Sequence, residues 1–272
     1  MELRHKKSGE VVASPNIDTL AKADLSGFDL AGVNLRDRLL FNTDLSGANL
    51  TGADLTGSRM PYVNLRGANL HGATLRGTEV QETDFSDADL SEVNLTRSIL
   101  FATRLQGADL RGICLSFSHV SMCDLSSRDL SNVRWRHANF SRVNLKGADL
   151  SRARLLGLVL HQCDLSGARM TGAVVKSMVV RDSDLTGLDL TDATLQSVSF
   201  INCLSLHLAT GLESILHKKP WSWQCPSSLD AATIRASIQH LPDVFVLGLG
   251  YSQEEVTAWR ELYPETPGDN AV

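Results

Sequence analysis

The stretch Ala48-Asn49-Leu50-Thr51-Gly52-Ala53-Asp54-Leu55-Thr56-Gly57 repeats itself after five residues. A small residue comes first, then Asp or Asn, then Leu, then Ser or Thr, then Gly. Outward from it the register holds without a break: every fifth residue from Leu25 to Phe200 is apolar, 36 positions in all, of which 26 are Leu. A period of five fits neither an α-helix nor a simple strand, so each unit needs a short extended piece and a turn. The small residue and the Leu lie two apart and therefore point to one side of an extended backbone. That side is the interior, and the residue between them points out. Fifteen of the 20 glycines fall in the repeat, all at the second position after the Leu. That position is the corner, because Gly adopts turn conformations that other residues resist.

The number of sides follows from a slower modulation. When the centres are sorted by every fourth unit, three columns are nearly pure Leu. The fourth reads Leu40, Met60, Val80, Leu100, Val120, Phe140, Leu160, Val180, Phe200. Four units per coil gives a 20-residue turn, and about nine coils at a strand spacing of about 4.8 Å give a rod roughly 43 Å long. The predicted fold class is an all-β solenoid with a small α-helical and irregular C-terminal cap.

These A(D/N)LXX units resemble the pentapeptide-repeat family, over about two thirds of the chain. The resemblance implies a right-handed quadrilateral β-helix, no catalysis and no cofactor. It also implies a choice of roles. One is a protein-protein interaction scaffold. The other is DNA mimicry, in which an acidic rod binds DNA gyrase or another type II topoisomerase and protects it against its poisons, giving antibiotic resistance. Some such relatives dimerise through their C-terminal ends, which makes a homodimer through the tail an expectation here. No insertion interrupts the 36 units, unlike in the loop-bearing resistance relatives.

Composition narrows the classes further. A net charge of -5 and a 21% charged fraction argue against a direct nucleic-acid binder, and no membrane span is visible. The N-terminus MELRHKKSGEVV has no apolar signal region. Five cysteines without paired spacing, Cys114, Cys123, Cys163, Cys203 and Cys225, predict reduced thiols in a cytoplasmic protein. Cys123, Cys163 and Cys203 occupy inward small-residue positions on one side, two coils apart, and read as substitutes for Ala. No His/Cys cluster has metal spacing, and Gly248-Leu249-Gly250 reads as a turn between helices.

The expected organisation is an N-terminal cap over 1–20, the solenoid over 21–205 and a capping or dimerising tail over 206–272. Ser227-Ser228-Leu229-Asp230 has the form of a capping box before a helix from about Leu229 to His240. Ser252-Gln253-Glu254-Glu255 opens a second helix to about Tyr263. Trp221, Trp223, Phe245, Leu247 and Trp259 are the candidate cap or dimer residues.

The surface is polarised. The first side, through Leu25, Leu45 and Leu65, presents Asp24, Asp44, Asp84, Asp124, Asp164 and Asp184. The second, through Leu30, Leu50 and Leu70, presents Asp29, Asp89, Asp109, Asp129, Asp149 and Asp189. The third carries two acids against seven bases, Arg36, Arg76, Arg97, Arg134, Arg136, Arg154 and Lys176. The fourth is near neutral and shows Leu39, Ile99, Val159 and Val179 outward, an apolar side for a partner or for the chain's own tail to cover. Twelve carboxylates along some 43 Å have about half the charge density of duplex DNA, with Arg104 and Arg169 interrupting them. The same Asp positions also suit bonding to local backbone.

Overall fold

The structure is a computed structural model that describes residues 2–13, 20–217 and 228–264. The five-residue period closes into a four-sided coil because residues twenty apart pair in parallel: Asp24 with Asp44, Asp29 with Asn49, Asn34 with Asp54 and Leu39 with Arg59. All 36 repeat centres are buried, most of them with 0–3% of their surface exposed. They form one continuous core with the small inward residues, as the alternation of side chains along an extended segment requires.

The corner residue is left-handed at every one of the 37 positions from Lys22 to Asn202. Fifteen are Gly, and 22 are other residues forced to φ between 49° and 63°. A left-handed non-Gly residue costs roughly 1–2 kcal/mol. The stacked ladder imposes that conformation, since a coil that turned otherwise would lose its bonds to both neighbours.

The four sides are not built alike. On the first two, the outward residue is mostly Asp or Asn, its side chain bonds ahead to the backbone, and neighbouring coils meet only at isolated bridges. The fourth side carries few such residues and forms a parallel sheet of nine strands, from Arg59–Pro61 through to Ser228–Leu229. The third side switches from one mode to the other. Its first outward residues are Asn34, Asp54, Thr74, Asn94 and Cys114. From Arg134 onward it becomes a five-stranded sheet, Arg134–Arg136, Arg154–Leu156, Val174–Lys176, Thr194–Gln196 and Leu216–His217.

Several inward polar groups are satisfied by one recurring bond, although the Ser58 hydroxyl is buried with no partner among the described residues. Thr43, Ser98 and Ser118 donate to the carbonyls of Leu20, Leu75 and Leu95, each 23 residues upstream, at 2.6–2.7 Å. Cys163 and Cys203 thiols donate the same way to Phe140 and Val180. The inward cysteines thus substitute for small core residues. Burial raises all three thiols, Cys203 to about 11. The four described cysteines are free, and no group of metal-ligating residues occurs among the described residues.

The ladder has one seam. The backbone N–H groups of Phe85, Asp87, Leu90, Glu92 and Leu95 each donate to the next coil at 2.8–2.9 Å. One coil later, those of Leu105, Gly107, Leu110, Gly112 and Leu115 have no such bond, and pairing resumes at Phe117, whose N–H donates to the Arg136 carbonyl at 2.7 Å. Side chains bridge the seam. Trp135, the largest repeat centre, donates its indole N–H to the Ile113 carbonyl at 2.9 Å. Arg128 stands where other units have a small inward residue, and its guanidinium reaches the Ala108 carbonyl at 3.4 Å. The fourth-side sheet crosses the seam intact, His119–Ser121 pairing with Asn139–Ser141.

Both ends are covered. At the start, β1 (Leu3–Arg4) pairs antiparallel with β2 (Val11–Ala13). Arg4 then accepts a bond from Asn34 N–H at 2.7 Å, which seats the hairpin on the first coil and buries Leu3. At the other end the tail first extends the ladder beyond the regular repeat. Thr210 bridges Asp189, Leu216 and His217 pair with Thr194 and Leu195, and Ser228 and Leu229 pair with Ser199 and Phe200. Ser228 is therefore a strand residue and not part of a capping box. The helix cap is Asp230, whose carboxylate accepts from Thr233 N–H, and helix α1 runs Ala231–Ser237. A further short helix, α2 (Asp243–Gly248), occupies the segment read as a connection. Helix α3 (Gln253–Leu262) begins with the expected Ser252/Glu255 capping box.

Candidate functional site

The twelve acidic-side aspartates occupy equivalent places and make the same local bond. Each accepts from the backbone N–H two residues ahead, at 2.8–3.3 Å, from Asp24 with Ser26 to Asp189 with Thr191. This bond holds Oδ1 against the turn. Asn34, Asn49, Asn64, Asn69, Asn94 and Asn144 make the identical bond with an amide oxygen. The turn therefore needs an Asx side chain but not a charge.

Three of the twelve are neutralised by arginine: Asp84 by Arg104 at 3.7 Å, Asp109 by Arg111, and Asp149 by Arg169 at 2.7 Å. Asp24, Asp29, Asp44, Asp89, Asp124, Asp129, Asp164, Asp184 and Asp189 make no ion pair within 4.0 Å among the described residues. The Arg111 guanidinium beside Asp109 holds its carboxyl below the usual range, and the Thr186 hydroxyl and N–H do so for Asp184. At Asp84 and Asp149 partial burial pushes the carboxyl up, but bonds from Ser86 or Ser151 and the neighbouring arginine outweigh it. These sides carry backbone-oriented carboxylates one rung of about 4.8 Å apart where Asp follows Asp, as at Asp24/Asp44, Asp89/Asp109, Asp129/Asp149 and Asp164/Asp184, and two or more rungs apart where Asn or Arg intervenes.

The fourth side presents Leu39 at 52% and Ile99 at 49% exposure, whereas Val159 and Val179 are half-buried. Residues not singled out from the sequence enlarge the patch: Phe41, Tyr62, Phe101 and Met122, all exposed. Their signal was present, since they follow the centres of the one column poor in Leu. The described part of the tail does not lie along this side. It stacks on the end of the rod, where Phe245, fully buried, meets the Phe200 ring at 6.4 Å and Tyr251 Oη accepts from Leu229 N–H at 2.7 Å. Trp259 is partly buried against the same core, and Leu247 is exposed on the outside. Trp221 and Trp223 lie outside the described residues.

A family model described as Pentapeptide repeats, present in eight copies, matches residues 19–57, 39–77, 81–116, 122–157 and 145–175. The chain belongs to the pentapeptide repeat family. The coil of this pentapeptide repeat protein is accordingly the family's right-handed quadrilateral β-helix. No curated protein matches it. Among solved structures it is similar to HetL, a pentapeptide repeat protein involved in heterocyst differentiation regulation from the cyanobacterium Nostoc sp. strain PCC 7120. The identity is 25%, over 84% of this chain and 93% of that chain, with a TM-score of 0.47. It is also similar to a trypsin-treated form of QnrB1, a plasmid-mediated fluoroquinolone resistance protein, at 22% identity over 67% and 89% of the two chains and a TM-score of 0.44. A pentapeptide repeat protein from the Arabidopsis thaliana thylakoid lumen aligns at 26% identity over 58% and 69%, with a TM-score of 0.22.

Proposed function

We propose that this pentapeptide repeat protein is a non-catalytic interaction rod whose two acidic sides engage a basic surface on a protein partner. One observation carries the reading. Nine carboxylates make no ion pair among the described residues, at positions where Asn serves the turn equally well, so the fold does not account for their charge. Ordered, unneutralised charge of one sign steers a complementary partner and fixes its register. The test replaces Asp124, Asp129, Asp164 and Asp189 together by Asn, which keeps every turn bond. The full chain is titrated with a labelled 20-residue Lys/Arg-rich peptide. The wild type binds, and the variant binds at least tenfold more weakly with an unchanged melting temperature. Equal affinities would remove the reading.

A second, narrower reading takes the basic partner to be the DNA-binding groove of a type II topoisomerase, with the acidic rows in the place of duplex. The placement of the carboxylates at whole-rung intervals along two adjacent sides favours it. Purified DNA gyrase in a supercoiling assay tests it: the wild type shifts the dose of a fluoroquinolone needed for inhibition, and the four-Asn variant does not. A homodimer through the tail belongs to the same proposal. Val244, Leu247 and Leu262 remain exposed on the outside of the cap, as a contact surface requires.

A further inference from the structure

The third side carries a second charged surface that the acidic-side reading does not use. Where this side turns from Asx turns to flat strands, Arg134 stands in register with Arg154, and Lys176 stands two rungs from Arg136 on the neighbouring row. The first pair sets two guanidinium-bearing residues one rung apart, about 4.8 Å. Like charges facing each other across a ladder destabilise it. Elsewhere on the rod Arg36, Arg59, Arg66, Arg104, Arg111 and Arg169 each reach a carboxylate. Among the described residues, none of Arg134, Arg136, Arg154 and Lys176 makes an ion pair. The four cations line one shallow depression shared by Leu156 and Val174: Leu156 takes the outward place between Arg136 and Lys176, and Val174 the outward place next to Arg154.

We propose that this part of the third side is a docking surface for an acidic protein segment that carries aliphatic side chains. The charge requires an anion. The aliphatic residues decide its kind: a nucleic-acid backbone has no apolar group to set against Leu156 and Val174, whereas an acidic peptide with interspersed Leu or Ile has. Short flat strands also hold their outward side chains upright and in fixed rows, which suits a partner that reads alternating charge and apolar contact. The acidic sides of a second copy present Asp with Ser, Thr and Gly, and so lack the apolar half of the match.

The full chain is titrated by fluorescence anisotropy with four labelled probes. These are a peptide of four Glu-Leu-Glu-Ala repeats, the same peptide with Leu replaced by Ser, the same peptide with Glu replaced by Lys, and oligo(dT) of 16 nucleotides. The Glu-Leu peptide binds, and its affinity falls as salt is raised. The Ser peptide and the oligonucleotide bind at least fivefold more weakly, and the Lys peptide does not compete with it. Arg154→Glu weakens the Glu-Leu peptide by at least tenfold and melts no lower than the wild type, because it turns a like-charge ladder pair into an opposite-charge one. Arg154→Gln gives a smaller loss in the same direction. Equal binding of the Ser peptide or of oligo(dT) would show a general polyanion surface and overturn the proposal. So would absence of binding, tighter binding of a labelled second copy, or an Arg154→Glu variant that binds as the wild type does. The four-Asn variant of the acidic sides retains Glu-Leu binding, which separates this result from the fate of the acidic-side reading.

Discussion

Placing a carboxyl at a repeat centre tests the inward assignment on which the whole coil rests. Leu70 is fully buried, and its backbone N–H bonds to the Asp89 carbonyl at 2.8 Å, between the coils of Leu50 and Leu90. Leu70→Asp loses the burial of a Leu side chain, about 1.5–3 kcal/mol. The new carboxyl must also stay neutral, since no cation reaches that position. Holding a proton at pH 7 on a group that ordinarily titrates near 3.9 costs about 4 kcal/mol, at 1.36 kcal/mol for each unit. The sum, about 6–7 kcal/mol, is comparable with the whole stability of an ordinary domain. At pH 4 the proton term nearly vanishes, and a deficit of about 2–3 kcal/mol relative to wild type at that pH remains. Urea unfolding at both pH values measures the two deficits. Asn69→Asp, one residue away and outward, exchanges one Asx acceptor for another and should stay within about 0.5 kcal/mol of wild type. A Leu70→Asp protein within 1 kcal/mol of wild type at pH 7, or one whose deficit does not shrink at pH 4, would refute the assignment.

The seam makes a kinetic prediction: in native-state hydrogen exchange, the amides of Leu105, Gly107, Leu110 and Gly112 exchange faster than their equivalents at Leu65, Gly67, Leu70 and Gly72, and equal protection would mean that the ladder is continuous. His217 occupies a repeat-centre place against Leu195, with both ring nitrogens buried and unbonded, and burial depresses its pKa below 6.5. Its neutral form therefore supports the fold above pH 6.5, and that support is lost as pH falls below it. His217→Leu should melt higher than wild type by a margin that grows from pH 7.5 to pH 5.5, and a constant margin would count against the buried neutral ring. Asp24, Asp109 and Asp184 titrate below the ordinary 3.8 in the folded rod. Their bonds contribute above that pH and are lost as pH falls through the lowered values, so the wild-type melting temperature should drop steeply below about pH 4.

What could be read from the sequence was what repeats. The burial of the centres and the corner at the second residue after Leu follow from the five-residue period, because each is enforced once per unit, and the four sides follow from the slower 20-residue modulation. The Ser252 cap was equally legible, since its bonds to Glu255 are local. The helix start expected after Ser227, itself outside the described residues, shows the limit. Ser228 is drawn into the ladder by Ser199, 29 residues earlier, and the helix start moves to Asp230. No local pattern encodes that pairing. The seam was hidden for a similar reason. Arg128 and Trp135 look like tolerated departures from the repeat until their side chains are seen bonding to Ala108 and Ile113 in the preceding coil. The change of the third side from turns to strands was partly visible, in the loss of Asx at Arg134, Arg154, Val174 and Thr194. The acidic rows were visible in full, and the structure adds which of their carboxylates make no ion pair among the described residues.

The most direct test of the central claim is a hydrogen-exchange footprint of the full chain with the Lys/Arg-rich peptide bound. Protection should appear along the first and second sides, around Asp124, Asp129, Asp164 and Asp189, while the third and fourth sides exchange as in the free protein. Protection spread evenly over the four sides, or confined to the tail, would contradict the claim that the acidic sides are the working surface of the rod.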